Sequence, residues 1–272
     1  MAERGRRRQL DCLGQHLEVL NNTSGHTVEP SQQVEPEPLF IFATHLSAHR
    51  RLLGEVKEEL GRYGIRVFVA HDTIEMDAPW QKEIVDALNG CHSGAAFIHP
   101  DLHGSYYCMQ EIGWMLGRGI PIARLMFGEA PKGLLGEIQG KELQNRPVNE
   151  IAATIMDWAP AHPSLVPNLA ASLSDALDQS PSFKHTDLIW SRLTTIDVLS
   201  TEQIRRVVHA GETNGQVFRA GVGGYRGDAY RTVVGIRALE WGAEGELAKR
   251  AAVLKANDAP GYIVSPDDVD ED

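Results

Sequence analysis

Leu39-Phe40-Ile41-Phe42-Ala43 is a short, unbroken apolar run, and such runs are typical of strands that are buried on both faces of a sheet. The segment that follows Ser47 instead repeats its apolar residues at helical spacing, and Gly64 ends it. Ile65 to Ala70 is a second apolar run. The order strand, helix, strand predicts a right-handed crossover between two parallel strands.

The same alternation continues as far as Trp158. Single helices separate the apolar runs, which predicts an α/β fold of the flavodoxin-like type, with a central parallel sheet of about five strands flanked by helices. The further predicted elements are a helix from Trp80 to Asn89, a strand at 94–99, a helix after Ser105, a strand at 120–126, a short strand near 146–148 and a helix at 149–158.

The pattern changes beyond Trp158, where a proline-rich connector at 159–167 leads into a mainly helical C-terminal region. The predicted elements there are helices at 168–178, 185–193, 201–210 and 228–255, with a short strand at 216–219. We therefore predict four parts. They are an N-terminal helix and flexible linker (1–37), an α/β domain (38–158), a mainly helical C-terminal domain (159–260) and an acidic, disordered tail (261–272).

Composition and charge exclude two classes of partner. The chain has 272 residues and a formal net charge of −11, which opposes nonspecific binding to nucleic acid. No apolar run approaches the ~18 residues that a membrane-spanning helix needs, and no apolar segment of a signal peptide follows the basic N-terminus. Three scattered cysteines predict neither a disulfide framework nor a zinc site. We therefore expect a cytoplasmic protein without nucleic-acid or membrane partners.

The candidate site lies in Ser105-Tyr106-Tyr107-Cys108-Met109-Gln110-Glu111-Ile112-Gly113-Trp114, the start of a helix that Ser105 is expected to cap. Glu111 follows Tyr107 by one helical turn, so the carboxylate and the ring share a face. A helix that begins just past the carboxyl end of a strand lies where open α/β sheets bind ligands. A carboxylate there could hold a sugar hydroxyl and stabilise positive charge that develops on a ribose. The alternative is a surface glutamate on an amphipathic helix.

Thr44 and His45 directly follow the first apolar run, which places them at the same ligand-binding edge of the sheet. His45 is interpreted either as a hydrogen-bond donor to a ligand or as a structural histidine. It could share a helix face with His49, but no third ligand is apparent, so no metal site is predicted. Tyr107 is interpreted either as a substrate contact or as a core aromatic residue, since its position in the helical pattern fits a buried face.

Four stretches of the chain, in order and at matching spacing, resemble one known family. They are Phe40–Ser47, Gly64–Asp72 together with Trp80, Phe97–Pro100 with Ser105–Glu111, and Ile120–Ile122 followed by 131–133 and Gln139. Together they cover residues 38–158, and they resemble the TIR (Toll/interleukin-1 receptor) domain in its bacterial, NAD-cleaving form. Thr44 stands where serine is typical and keeps a hydroxyl, and Tyr107 stands in place of tryptophan and keeps a ring. Nothing recognisable covers residues 160–272.

The resemblance implies an NAD+ nucleosidase that breaks the nicotinamide–ribose bond and releases nicotinamide with ADP-ribose or a cyclic ADP-ribose isomer. It assigns the catalytic role to Glu111, and NAD+ is the substrate, so no cofactor is expected. Asp72 and Trp80 flank a loop that, by the resemblance, closes over the nucleotide. Trp80 is also interpreted as a buried helix anchor. The implied substrate-binding residues are Thr44, His45, Asp72, Trp80, Ser105 and Tyr107.

The resemblance also implies a biological setting. Several bacterial TIR proteins act in antiphage defence, including Thoeris-type systems, so the expected role is antiphage defence or stress signalling. The implied partners are NAD+, other copies of the TIR domain and an effector protein that senses the nucleotide product. One alternative is a noncatalytic TIR scaffold that self-associates and recruits partners through its C-terminal region. Another is an enzyme of nucleotide-sugar or deoxyribosyl transfer on the same fold. The residues do not choose between hydrolysis and cyclisation.

Overall fold

A computed structural model describes residues 35–69, 80–219, 221 and 230–256. The strands in this part of the chain are β1 (Phe40–Thr44), β2 (Arg66–Val69), β3 (Ser93–Ile98), β4 (Ile122–Met126) and β5 (Lys141–Glu142). They form one sheet in the order β2-β1-β3-β4-β5, and every neighbouring pair is parallel. This is the flavodoxin-like order, so the predicted fold class is confirmed.

Alternate residues of the central strands supply the two cores of the sheet. In β1, Ile41 and Ala43 belong to one apolar cluster, whereas Phe42 belongs to the other. This is the period-two pattern of a strand that is covered on both faces. The covering helices are α1 (Arg50–Gly61) and α4 (Val148–Trp158) with the first cluster, and α2 (Trp80–Gly90) and α3 (Tyr106–Gly117) with the second.

The C-terminal region is mainly helical, as predicted. Its elements in the described part of the chain are α5 (Val166–Asp178), α6 (Phe183–Leu193), α7 (Thr201–Thr213), α8 (Gly215–Phe218), α9 (Tyr230–Glu240) and α10 (Gly245–Lys255). Their buried side chains, among them Leu173 and Val207, belong to the same apolar cluster as Ile41. The helical region therefore shares a continuous core with one face of the sheet.

Helix α5 is hydrogen-bonded to the sheet at the amino ends of the strands, called the amino edge below. The backbone N–H of Leu39, just before β1, donates to Ser172 Oγ at 2.8 Å and lies 3.1 Å from the carbonyl oxygen of Asn168. Ser172 is buried, and its carbonyl oxygen lies against Gly64, which precedes β2. Because both contacts precede their strands, the helical region meets the sheet at the edge opposite the carboxyl ends.

Two short predicted strands are wrong. The strand near 146–148 is absent, because Pro147 is the extended N-cap residue of α4, and β5 lies earlier in the chain. The segment predicted as a strand at 216–219 instead contributes to α8. There the Asn214 side chain accepts a hydrogen bond from the backbone N–H of Gln216 at 2.8 Å and caps the short helix.

The long helix predicted at 228–255 is also wrong in part, since the structure has two helices there, α9 and α10. Gly242 lies between these helices with a φ angle of 95°. Gly245 is the first residue of α10 and has a φ angle of 55°. Left-handed backbone of this kind ends a right-handed helix and favours glycine.

Other predictions fall beyond the described residues. These include most of the N-terminal part and the whole acidic tail, and the boundaries of the four predicted parts remain predictions. None of the helices in the described ranges has the length and hydrophobicity of a transmembrane segment.

Candidate active site

The second turn of α3 brings Glu111 to the carboxyl edge of the sheet. Ser105 is extended, and its side chain accepts a hydrogen bond from the backbone N–H of Cys108 at 3.3 Å, so it caps the helix as predicted. Cys108, Ile112 and Met115 are buried and form the face of α3 that packs on the sheet. Glu111 is on this buried face and is only 7% exposed. The interpretation of Glu111 as a surface glutamate is therefore wrong.

Burial changes the acidity of Glu111. Desolvation of its carboxylate, offset in part by the neighbouring Thr44 hydroxyl, raises the pKa from 4.5 to about 7. No basic side chain in the described part of the chain contributes to this pKa. A carboxyl group that is buried without a compensating charge destabilises the fold, and such groups occur mainly at functional sites.

Thr44 is the last residue of β1 and faces Glu111. It is fully buried, yet its Oγ1 has no partner that meets hydrogen-bond geometry among the described residues, and this includes the Glu111 carboxylate. The hydroxyl is nevertheless close enough to lower the pKa of Glu111. A buried hydroxyl without a partner loses its hydrogen bonds to water without replacement. Thr44 therefore presents an unused polar group beside the carboxylate.

His45 has a defined orientation at the end of β1. Its Nδ1 lies 3.2 Å from the carbonyl oxygen of Ala43, and because a carbonyl can only accept, Nδ1 carries the proton. In the neutral ring with this tautomer Nε2 is an acceptor, and donation by His45 to a ligand stays a prediction. The backbone of His45 is also held from α3, since Cys108 Sγ donates to its carbonyl oxygen at 3.3 Å.

His99 is a residue of this edge that the sequence analysis missed. It directly follows β3, is 7% exposed, and stacks against His49 on one side and Phe127 on the other. The rule that selected Thr44 and His45, a polar residue at the carboxyl end of a buried strand, would also have selected His99. His45, His99 and Phe127 follow β1, β3 and β4, which are adjacent in the sheet.

The remaining predicted contacts are less central. Tyr107 is 60% exposed, so the interpretation as a core aromatic residue is wrong, whereas its substrate contact remains a prediction. Asp72 lies outside the described residues. Trp80 is the first residue of α2, and its side chain is not among those described. No three histidine, cysteine, aspartate or glutamate side chains in the described ranges are arranged to hold a metal ion.

The Thr44 hydroxyl provides a test of the electrostatics of this edge. We expect Thr44→Val to raise the pKa of Glu111 further, because valine keeps the shape but removes the group that stabilises the carboxylate. At pH 5, where Glu111 is protonated in both folded proteins, stability should change little, since the deleted hydroxyl is buried and unpaired. The measurement is an NMR titration of the Glu111 side-chain carboxyl in both proteins. An unchanged or lower pKa in the variant would contradict the influence of Thr44.

Comparison with known proteins gives similarity to solved structures alone. No family model matches the chain, and no curated protein matches it. Among solved structures, the chain is similar to the TIR domain of the Toll-related receptor TRR-2 from Hydra magnipapillata, a lower metazoan. The identity is 14%, the TM-score is 0.36, and the match covers 43% of this chain and 94% of the Hydra domain. Values this low do not establish membership of a family, so function has to be argued from the site.

Proposed function

We propose that this chain is a TIR-type NAD+ nucleosidase that cleaves the bond between nicotinamide and ribose. The observation that carries the proposal is the buried Glu111 carboxyl, held at the carboxyl edge of a flavodoxin-like sheet with a pKa of about 7. Ligands of open α/β sheets bind at this edge. The motif resemblance to bacterial TIR domains supports the same reaction, because it assigns the catalytic role to Glu111 independently of burial.

Glu111 fits a reaction in which positive charge develops on a sugar. As the C–N bond breaks, its electron pair goes to the pyridine nitrogen, and the ribose becomes an oxocarbenium-like cation. A carboxylate in a low-dielectric site stabilises that cation more strongly than it would in water. The positive charge of the bound nicotinamide ring also favours ionisation of Glu111, so substrate binding counteracts the effect of burial on its pKa.

The second half of the reaction decides the product. Attack by water on the ribosyl cation gives ADP-ribose and a proton, whereas attack by a nucleophile within the same nucleotide gives a cyclic isomer and a proton. Both routes leave Glu111 unchanged, and exclusion of water from the edge favours the cyclic product. Under this proposal the reaction would serve in antiphage defence or stress signalling. It would act either by depleting NAD+ or by making a nucleotide product that an effector protein senses.

Exposed aromatic side chains on α3 favour self-association as part of the proposal. Tyr106 is 84% exposed and Trp114 is 43% exposed. The two residues are eight positions apart, which separates their side chains by about 80° around the helix axis and leaves both on one half of the helix surface. Large exposed aromatic residues are enriched at protein contacts. The same surface would serve the second candidate, a noncatalytic scaffold.

The test is product analysis after incubation with NAD+ at high protein concentration. Wild type is expected to release nicotinamide, with ADP-ribose or a cyclic isomer as the second product in chromatography. Glu111→Gln should lower the rate at least about 100-fold, because it removes the charge that stabilises the transition state. Glu58→Gln, which changes an exposed glutamate of α1, is the matched control and should leave the rate unchanged.

Two results would reject the enzyme. If concentrated wild-type protein leaves NAD+ intact, the catalytic proposal fails and self-association alone favours the scaffold. If Glu111→Gln releases nicotinamide at the wild-type rate, cleavage does not depend on this site. Turnover of free nucleosides with NAD+ untouched would instead favour a glycosyl-transfer enzyme on the same fold.

A further inference from the structure

His99 is held in a sandwich of flat rings. Its ring centroid lies 3.3 Å from that of His49 at an interplanar angle of 7°, and 4.4 Å from that of Phe127 at 16°. The backbone turns sharply there, because the N–H of Leu102 donates to the carbonyl oxygen of His99 at 3.1 Å. With both faces covered, the ring can meet another molecule only through its edge.

The surroundings keep this imidazole uncharged. Burial, together with smaller contributions from the neighbouring rings of His49 and His45, lowers the pKa of His99 to about 4. A neutral imidazole has one N–H donor and one acceptor nitrogen. At neutral pH His99 is therefore suited to an uncharged polar group, and it lacks the positive charge that would attract a phosphate or a carboxylate.

The edge of the ring has an unused hydrogen-bonding atom. His99 Nε2 is buried and has no hydrogen-bond partner among the described residues, and the same is true of Thr44 Oγ1. Buried polar atoms are nearly always paired, so two unpaired ones at the ends of neighbouring strands need an explanation. A ligand that supplies the missing partners is the simplest one, since both atoms lie at the edge where such sheets bind ligands.

His45 connects the two unpaired groups. It follows Thr44 in the chain, and its imidazole is close enough to lower the pKa of His99. Thr44 in turn faces Glu111. Through these neighbours His99 and Glu111 belong to one group of side chains at the carboxyl ends of the strands. If Glu111 acts on the ribose, a group bound by His99 belongs to a part of the substrate next to that ribose.

We infer that His99 is a specificity residue, and that its Nε2 forms a hydrogen bond with the carboxamide of the nicotinamide ring. The inference rests on the proposed function, because it names the part of NAD+ that this edge would recognise. A carboxamide offers both a donor and an acceptor, so it pairs with Nε2 in either tautomer of the neutral ring. It is also uncharged, which matches the neutral state of His99.

The test compares His99→Phe with wild type. Phenylalanine keeps the stacking between His49 and Phe127 but removes Nε2. The KM for NAD+ should rise about 5- to 10-fold, the effect of one neutral hydrogen bond, with kcat nearly unchanged. A dinucleotide whose pyridine lacks the carboxamide should have the same KM with both proteins, because neither can form the bond. Glu58→Gln, at an exposed position of α1 outside the stack, should leave the KM for NAD+ unchanged.

Two further measurements protect the test against misfolding of the variant. His99→Gln restores a polar group near Nε2 and should recover part of the affinity that phenylalanine loses. In wild-type protein, addition of nicotinamide should shift the NMR resonance of His99 Nε2 and leave that of His49 much less affected. A resonance of His99 that does not respond to saturating nicotinamide would overturn the inference.

The outcomes separate this inference from the proposed function. If wild type cleaves NAD+ and His99→Phe has an unchanged KM, the inference fails and the proposed function stands. If calorimetry shows that wild type binds NAD+ without cleaving it, and His99→Phe weakens that binding, the inference stands and the proposed function fails. If wild type neither binds nor cleaves NAD+, both are rejected.

Discussion

Glu111→Gln is expected to stabilise the protein increasingly as pH rises, although it removes the proposed catalytic group. The Glu111 carboxyl has a pKa of about 7 in the folded chain, against an ordinary value of 4.5. The folded state therefore holds the proton more tightly than the unfolded state does. In acid both states are protonated and burial carries no electrostatic penalty.

As pH rises through this interval, the unfolded carboxyl ionises first and the folded one later. Wild type then loses stability by up to about 1.4 kcal/mol per pH unit, and the loss is complete above the folded pKa. The difference between pKa values of about 7 and 4.5 corresponds to about 3 kcal/mol. Glutamine does not ionise, so its unpaired amide changes stability by an amount that does not depend on pH.

The measurement is urea unfolding of wild type and Glu111→Gln at pH 5, 6, 7 and 8. The free energy of unfolding of the variant, minus that of wild type, should increase by about 2 to 3 kcal/mol across this range. Glu58→Gln, at an exposed position of α1, should show a constant difference. A constant difference for Glu111→Gln as well would mean that the buried carboxyl titrates near its ordinary pKa.

A buried carboxyl without a neighbouring positive charge is informative about function because it lowers stability at neutral pH. Selection for stability alone would favour glutamine or an apolar residue beside Ile112 and Met115. A group that destabilises the fold at neutral pH is expected where activity requires its charge. Opposite effects of one substitution on stability and on NAD+ cleavage would therefore support the proposed function more strongly than loss of activity alone.

The strands and the cap of α3 were predictable because their signals are local. The apolar run at 39–43 lies within one residue of β1, and Ser105 caps α3 as its position before a helical pattern indicates. The edge strand β5 has no such signal, since it consists of Lys141 and Glu142, both exposed. Its pairing with β4 is determined by tertiary packing, which a hydrophobic pattern does not report.

The site was predictable in part for a similar reason. Glu111, Thr44 and His45 were selected because a rule of sheet topology and a motif both indicate them, and their roles stay predictions. Helical spacing alone placed Tyr107 in the core, although it is exposed while the adjacent Cys108 is buried. The role of His99 depends on rings that come from three different segments of the chain. Contacts of that kind cannot be inferred from spacing in one sequence.

Gly64→Ala is expected to destabilise the fold at the edge opposite the site. Gly64 follows α1 with a φ angle of 71°, a conformation that costs an L-residue about 1–2 kcal/mol. A Cβ atom there would lie 2.4 Å from the carbonyl oxygen of Ser172, which belongs to the backbone of α5. Relief of this overlap requires α5 to move away from the sheet. Such overpacking adds typically about 1–3 kcal/mol, so the total loss should be about 2–5 kcal/mol.

A second glycine separates the two contributions to this loss. Gly119 follows α3 with a φ angle of 69°, but a Cβ atom there would have no heavy atom within 4 Å. Gly119→Ala should therefore lose only the conformational part, about 1–2 kcal/mol, and urea unfolding of both variants measures the difference. Equal losses would show that α5 does not press on Gly64.

Because Gly64 lies at the amino edge, the folded fraction of Gly64→Ala should keep the pKa of Glu111 and the KM for NAD+ of wild type. A change in either would mean that the helical region and the candidate site are energetically coupled through the sheet.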